Sequence, residues 1–344
     1  MTDHLPGGGL PWLSILIPVY NVEPYLRACV ESIMKQSASA GAEIILLDDC
    51  SADGSLRLCE QLVQDFAGRL RLIQHDSNRG ISAARNSLLS QARGQYVWFI
   101  DSDDYLIGGA LAHLRRIIEQ NDPDLVICNY HKHRAWFKKS FPGSGRKTDH
   151  NQRKLIAGVF QYRKMYAWLK IAKRSLWNGL QFPPGRCFED IATIPYLLLR
   201  AESFYYTPQR WIYYRVRPGS LMASVAQRPD IFDADKNDAA ARALLGYADV
   251  LKDRFGEIPP EIGYYMSHFI AKEYIKLARR YRKVAICSSQ NTTTHPQSMA
   301  PPLSHYLRKM ESSSPLAFDA LRYKYLRRGQ PWDYFALSHA MTMA

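Results

Sequence analysis

Along the first hundred residues short apolar runs alternate with segments whose apolar side chains recur at helical spacing, and few folds accept that order. Leu13 to Val19 reads as a strand, and Pro24 then opens a helix with Leu26, Cys29, Val30, Ile33 and Met34 on one face. Glu43 to Leu47 is a second strand ending at Asp48 and Asp49. The helix after it is capped by Asp53 or Ser55 and turns Leu58, Cys59, Leu62 and Phe66 inward. Leu70 to Gln74 is a third strand, Ile81 to Ala92 a third helix with Ile81, Ala84, Leu88 and Ala92 aligned, and Tyr96 to Ile100 a fourth strand. This alternation predicts an α/β fold, a mostly parallel sheet flanked by helices, whose successive strand ends point at one crevice.

Polar residues collect at those ends: Tyr20 and Asn21 after the first strand, Asp48 and Asp49 after the second, Asn78 to Asn86 after the third. The fourth strand stops abruptly in Asp101-Ser102-Asp103-Asp104. Carboxylates this close repel and raise one another's pKa unless a cation is held between them. Mg²⁺ or Mn²⁺ takes one or two carboxylates and completes its shell with water and phosphate oxygens, which suits Asp101, Asp103 and Asp104. An acidic cap on a helix starting near Leu106 is the plainer explanation, but it needs only one of the three.

A chain of 344 residues suits two domains, or one large α/β domain with an appendage. Its six cysteines are dispersed without a Cys-x-x-Cys pair, so neither a zinc site nor a disulfide framework is expected. The N-terminus lacks a signal-peptide pattern and no window approaches a membrane span, which leads to the expectation of a cytoplasmic protein. The net charge of +13 calls for an anionic partner or a solvated basic face. Between His131 and Phe188 fourteen Lys or Arg stand against one acidic residue, Asp149, so that window carries the whole excess.

Residues 1–11 read as a flexible leader, 12–225 as the main domain with halves meeting near residue 130, and 226–344 as a helical accessory region. Asp124 to Asn129 reads as a further strand, and Gly143 to Gly145 as a loop. Asp235 to Phe255 and Glu261 to Val284 are expected helices, and Ser288 to Ser304 a Ser/Thr/Pro/Gln-rich linker. Near the end, Lys324, Arg327 and Arg328 stand beside Tyr323, Tyr325, Leu326 and Trp332, a pattern that suits either a membrane-surface helix or a packing helix with a basic side.

Four motifs carry a resemblance. Ser14-Ile-Leu-Ile-Pro-Val-Tyr-Asn21, Leu47-Asp-Asp-Cys-Ser-Ala-Asp-Gly-Ser55, Asn78-Arg-Gly-Ile-Ser-Ala-Ala-Arg-Asn86 and Phe99-Ile-Asp-Ser-Asp-Asp104 together resemble, in order and spacing, the family 2 glycosyltransferases of the GT-A fold. The resemblance implies that Pro18, Tyr20 and Asn21 line a nucleotide base pocket and that Asp49, with Asp48 beside it, reaches the uracil or ribose. It implies that Arg79, Arg85 and Asn86 face the ribose or diphosphate, with an ion pair to Asp101 or Asp103 as the competing role for Arg85. Asp101 and Asp103, with Ser102 between them, match the Asp-x-Asp motif, and Asp103 and Asp104 are the preferred contacts for ribose and metal, with Asp101 as a further metal ligand.

The family also implies a later general base, best matched by Cys187-Phe-Glu-Asp-Ile191. Asp190 is favoured over Glu189, and helix stabilisation is the plainer role for both. More loosely, Trp168 and Lys170 match the stretch before the acceptor site, and Arg215, Arg217 and Ser220 the leaving-group side. Processive members carry Gln-x-x-Arg-Trp with membrane spans, whereas this chain has Thr207-Pro-Gln-Arg-Trp211 and no span. The implied activity is inverting transfer of one sugar from a UDP-sugar to a glycan or lipid-linked acceptor in surface polysaccharide or lipopolysaccharide synthesis. The basic segment together with the C-terminal region would hold the enzyme to an anionic cytoplasmic leaflet.

Two rivals predict different sequences or behaviour. A nucleotidyltransferase would show a Gly-rich phosphate loop where this chain has Pro-Val-Tyr-Asn. A non-catalytic binder of nucleic acid or anionic glycan through residues 131–188 would leave the acidic strand ends unexplained, and nucleic acid is the less expected partner.

Overall fold

The computed structural model describes residues 9–36, 41–132, 147–185, 187–217, 234–290 and 301–344. Expectations for the leader up to residue 8, the loop at Gly143 to Gly145, and Ser220 lie outside these residues. Internal contacts divide the chain into two compact units. The first takes the residues up to Leu155 with Met165–Gly185 and Ala192–Val216; the second takes Ile156–Lys164, the short stretch ending at Ile191, and everything from Arg217 on.

The first unit is built on an eight-stranded sheet. Strands β1 (Leu13–Val19), β2 (Ala42–Asp48), β3 (Leu70–Gln74) and β4 (Tyr96–Phe99) alternate with helices α1 (Glu23–Met34), α2 (Ser55–Asp65) and α3 (Gly80–Gln91). Every residue of β1, β2 and β4 is buried, as continuous apolar runs in a two-sided parallel sheet require. α1 buries Leu26, Cys29, Val30, Ile33 and Met34, the face expected from its periodicity.

The chain continues through β5 (Tyr105–Leu106), α4 (Ala110–Asn121), β6 (Leu125–Lys132), α5 (Gln152–Gln161), β7 (Lys170–Lys173), α6 (Glu189–Arg200) and β8 (Phe204–Tyr214). The sheet order is β3-β2-β1-β4-β7-β6-β8-β5. The first four strands are mutually parallel, β7 is antiparallel to both β4 and β6, and β8 runs parallel to β6. The sheet is therefore mixed but mostly parallel, with β1–β4, β6 and β8 running one way and β5 and β7 the other. These directions bring the C-terminal ends of β1–β4, β6 and β8, and the N-terminal end of β7, to one edge.

No helix starts near Leu106: the chain after Asp104 forms the two-residue β5, which pairs antiparallel with β8 through Tyr105–Tyr213 and Leu106–Ile212. α4 begins at Ala110 behind Gly109, whose φ of +82° suits glycine. Asp101, Asp103 and Asp104 are thus too far upstream to cap it.

The second unit is helical where described: α7 (Ala234–Arg242), α8 (Tyr247–Phe255), α9 (Pro260–Gln290), α10 (Leu303–Ser312), α11 (Phe318–Arg327) and α12 (Pro331–Thr342). The single helix expected over Asp235 to Phe255 is two, broken before Gly246, which takes a φ of +79°. α9 runs beyond Val284 to Gln290, into the stretch expected as a linker. α9 packs against α10, α11 and α12, burying Tyr274, Tyr306, Tyr325 and Leu337.

Candidate functional site

The edge of the sheet where β1–β4 end carries three acids whose ligand atoms lie within 4.8 Å of one another, Asp101, Asp103 and Asp104. Asp104 is 1 % exposed; its Oδ1 accepts from the Arg215 backbone N–H at 2.8 Å, and its buried Oδ2 has no hydrogen-bond partner. Burial, with Asp101 and Asp103 adding repulsion, pushes its pKa up to about 8. The same sheet holds an instructive contrast. Glu43, equally buried, is neutralised by Arg71 and Arg93 at 3.3 Å and also accepts from Ser14 and the Gly94 N–H. A buried carboxyl oxygen without a donor, beside two further acids, is the chemistry that a divalent cation satisfies. The donor set is all oxygen, which suits Mg²⁺ or Mn²⁺.

Cationic and aromatic groups surround the acids. Arg85, 3 % exposed, stands 3.4 Å from Asp101 and lies over the rings of Phe99 and Phe182 at 5.8 and 5.3 Å. The ion pair weighed for Arg85 is therefore formed. The Arg215 guanidinium lies over Tyr25 at 5.0 Å and Tyr105 at 5.4 Å, and Tyr105 stacks on Tyr213 with centroids 4.7 Å apart. A second stack joins Tyr166, Trp168 and Tyr214, with centroid spacings of 5.0 and 5.9 Å. Burial and the three aspartates push the Tyr214 hydroxyl up to about 12, so that phenol sits in the field of the acidic cluster. Lys170 is buried, and its Nζ donates to the Tyr166 carbonyl at 2.8 Å.

At the neighbouring strand ends, Pro18 is buried, Tyr20 is exposed, and Asn21 adopts a φ of +50°. The Asn21 side chain accepts from the Ala52 and Asp53 N–H groups, fixing the loop after β2. Asp48 accepts from the Ser51 N–H at 3.0 Å and keeps its Oδ1 buried without a partner. Asp49 is buried and holds His75 at 2.6 Å and the N–H groups of Arg79 and Gly80 at 3.0 and 2.7 Å. Arg79 itself is exposed and Ser102 buried. His75, which no motif of the sequence singles out, bridges Asp49 to Ser87. Asn86 exchanges two hydrogen bonds of 2.8 Å with the Phe182 backbone, so its amide holds the ring that backs Arg85.

Glu189 and Asp190 belong to the second unit and form the first turn of α6, both half-buried. Phe188 before them has a φ of +63°, uncommon for a bulky side chain. Phe188 and Ile191 line a small, open cleft with Leu244, Phe269 and Met310. Arg217 also belongs to the second unit, whereas Arg215 belongs to the first.

Comparison with known proteins settles the family. Residues 14–173 match the sequence profile of Glycosyl transferase family 2. The chain is 31 % identical over 260 residues to glycosyltransferase GlyG of Streptococcus pneumoniae, covering 71 % of this chain and 85 % of GlyG. The chain belongs to glycosyl transferase family 2. A second relative of this family 2 protein, the uncharacterised glycosyltransferase EpsJ of Bacillus subtilis, is 40 % identical over 123 residues, 36 % of this chain and 35 % of EpsJ. The fold of the family 2 chain is also that of S. aureus TarS 1–349 in complex with UDP-GlcNAc, with a TM-score of 0.67 at 20 % identity over 96 % of this chain and 91 % of that one. Mannosyltransferase PcManGT from Pyrobaculum calidifontis, in complex with GDP-Man and Mn²⁺, gives 0.55 at 17 % identity over 97 % and 87 %. The GT-A fold expected from the motifs is therefore present in this family 2 protein. Among its described residues no helix is long and apolar enough to cross a membrane.

Proposed function

We propose that this protein is a metal-dependent, inverting glycosyltransferase that moves one sugar from a UDP-sugar to a glycan or lipid-linked acceptor in surface polysaccharide or lipopolysaccharide synthesis. The observation that carries the metal-dependent reading is the cluster of Asp101, Asp103 and Asp104, with Asp104 Oδ2 buried and unsatisfied at the edge where the strands end. Complexes of fold relatives with UDP-GlcNAc, and with GDP-Man and Mn²⁺, support a nucleotide-sugar donor and a divalent cation.

In this reading Asp103 and Asp104, with Asp101, hold Mg²⁺ or Mn²⁺, which when bound neutralises charge on the donor diphosphate. Pro18, Tyr20 and Asn21 border the base, and Asp48 and Asp49 accept from the base or ribose, Asp48 with the Oδ1 that has no internal donor. Asp101 and Ser102 border the ribose. Arg79 and Arg85 bring positive charge to the ribose and diphosphate side, while Asn86 acts by fixing Phe182. Arg215 stabilises charge on the leaving diphosphate, a role that the family resemblance also gives Arg217 and Ser220, and Trp168 and Lys170 shape the acceptor side.

Asp190, with Glu189 beside it, removes the proton from an acceptor hydroxyl. That oxygen attacks the anomeric carbon while the bond to the nucleoside diphosphate breaks, and its electron pair leaves with the diphosphate. One displacement inverts the anomeric configuration, as it does in inverting glycoside hydrolysis.

A panel of UDP-, GDP- and CDP-sugars assayed for donor turnover with Mn²⁺ and with chelator tests this. The expected result is turnover of a UDP-sugar only with metal, lost in a folded Asp103→Ala variant. Metal-dependent turnover retained by that variant would overturn the site assignment.

A further inference from the structure

The C-terminal helices of the second unit present an outer face at odds with a water-exposed surface. Among the described residues nine large hydrophobic side chains stand exposed, and four fall within thirteen positions: Tyr323 (63 %), Leu326 (45 %), Trp332 (83 %) and Phe335 (60 %). α11 and α12 pack side by side and against α9. Their inward residues are Phe318, Leu321 and Tyr325 on α11 and Leu337 and Ala340 on α12. Helical spacing puts Tyr323 and Leu326 on the opposite side of α11, and Trp332 and Phe335 on the opposite side of α12. α12 is thus apolar on both faces, where a helix bordering water alone carries polar residues outward.

Charge selects the occupant. Over residues 318–344 four Lys or Arg stand against two acids. Both acids are paired, Asp319 with Arg322 on α11 and Asp333 with Lys272 on α9. Arg327 is exposed and Lys324 half-buried beside the aromatic face. Aromatic rings amid unneutralised cations fit the headgroup boundary of an anionic bilayer, which takes rings into its interface and attracts Lys and Arg.

We propose that this face docks on an anionic lipid membrane, with Trp332 and Phe335 entering the interface and Lys324 and Arg327 meeting headgroup phosphates. The proposal does not rest on the sugar-transfer reading.

Co-sedimentation of the full chain with vesicles of phosphatidylglycerol and phosphatidylcholine, against phosphatidylcholine alone, tests it. Binding is expected to the anionic vesicles and to weaken with salt. Trp332→Ala with Phe335→Ala should lower it about tenfold or more, and Lys324→Glu with Arg327→Glu should bring it down to the level on neutral lipid. Trp332→Gln alone, which removes the ring without changing the charge, gives the same comparison should the double apolar variant fail to fold. Nucleotide binding should be unchanged in all three. Equal vesicle affinity in wild type and variants would overturn the proposal. So would a dimer in sedimentation equilibrium that the apolar variant dissolves while no vesicle binding occurs, since a second copy would then cover the face.

Discussion

The backbone N–H of Arg215 donates to Asp104 Oδ1 at 2.8 Å, joining residues 111 apart in sequence. It is the main chain that makes the bond. The Arg215 guanidinium is left over Tyr25 and Tyr105, and Asp104 Oδ2 is left without a donor. A residue held this way is poorly stabilised by its own protein and suited to a cation from outside.

Asp104→Asn should therefore separate stability from function. The amide oxygen still accepts from Arg215, and the buried charge is gone. In chelator at pH 8.5, above the Asp104 pKa of about 8, the variant is expected to melt about 2–4 °C higher than wild type, while stabilisation by Mn²⁺ disappears. A variant that melts lower in chelator would show the carboxylate to be a structural group.

Asn86→Ala should act mainly on stability. It leaves the N–H and carbonyl of Phe182 without their partners, at a cost of about 1–3 kcal/mol. Urea unfolding measures that loss, and a wild-type midpoint in the variant would refute it.

Asp190→Asn should lower kcat by about 10²–10⁴-fold with UDP affinity nearly unchanged, and Glu189→Gln should have a much smaller effect. Steady-state kinetics with calorimetry on both variants decides between the two acids. The reverse order would move the base to Glu189.

The second unit carries a pH dependence of its own. Burial pushes the His268 pKa down to about 4 from 6.5, with Lys272 and Arg163 adding to the effect and Asp333 opposing it. The folded state thus keeps the ring neutral where the unfolded chain protonates it. The stability tied to that neutral ring is complete above pH 6.5 and is lost as pH falls toward 4. Wild type minus His268→Gln should show that slope in melting temperature, and a flat difference would contradict it.

Much of the first unit was legible in the sequence because strands buried on both faces must be continuous apolar runs. β1, β2 and β4 follow from that pattern, the inward face of α1 from its helical spacing, and the half-exposed β3 from its place in the alternation. β6 was legible too, as the strand expected over Asp124 to Asn129, but β7 and β8 were not, because they carry Lys, Thr, Gln and Arg and owe their place to partners distant in sequence. β5 has two residues and exists only through β8. The acidic cluster was visible as a run of like charge, whereas the groups packed around it were not: Tyr25, Tyr105, Phe182 and Tyr214 reach the edge from four separate segments. His75 lies directly after β3, and the rule that picked out Asp49 after β2 would have found it. Gly246 broke a helix that periodicity joined, because the apolar spacing continues across the turn.

The most direct test of the central claim is calorimetric titration of UDP, with GDP and CDP as controls, into the protein with Mn²⁺ and then with chelator. Tight UDP binding in Mn²⁺ that vanishes in chelator, and that Asp103→Ala abolishes, is the expected result. Equal UDP affinity with and without metal, or no nucleotide binding in either, would contradict a metal-held donor at Asp101, Asp103 and Asp104.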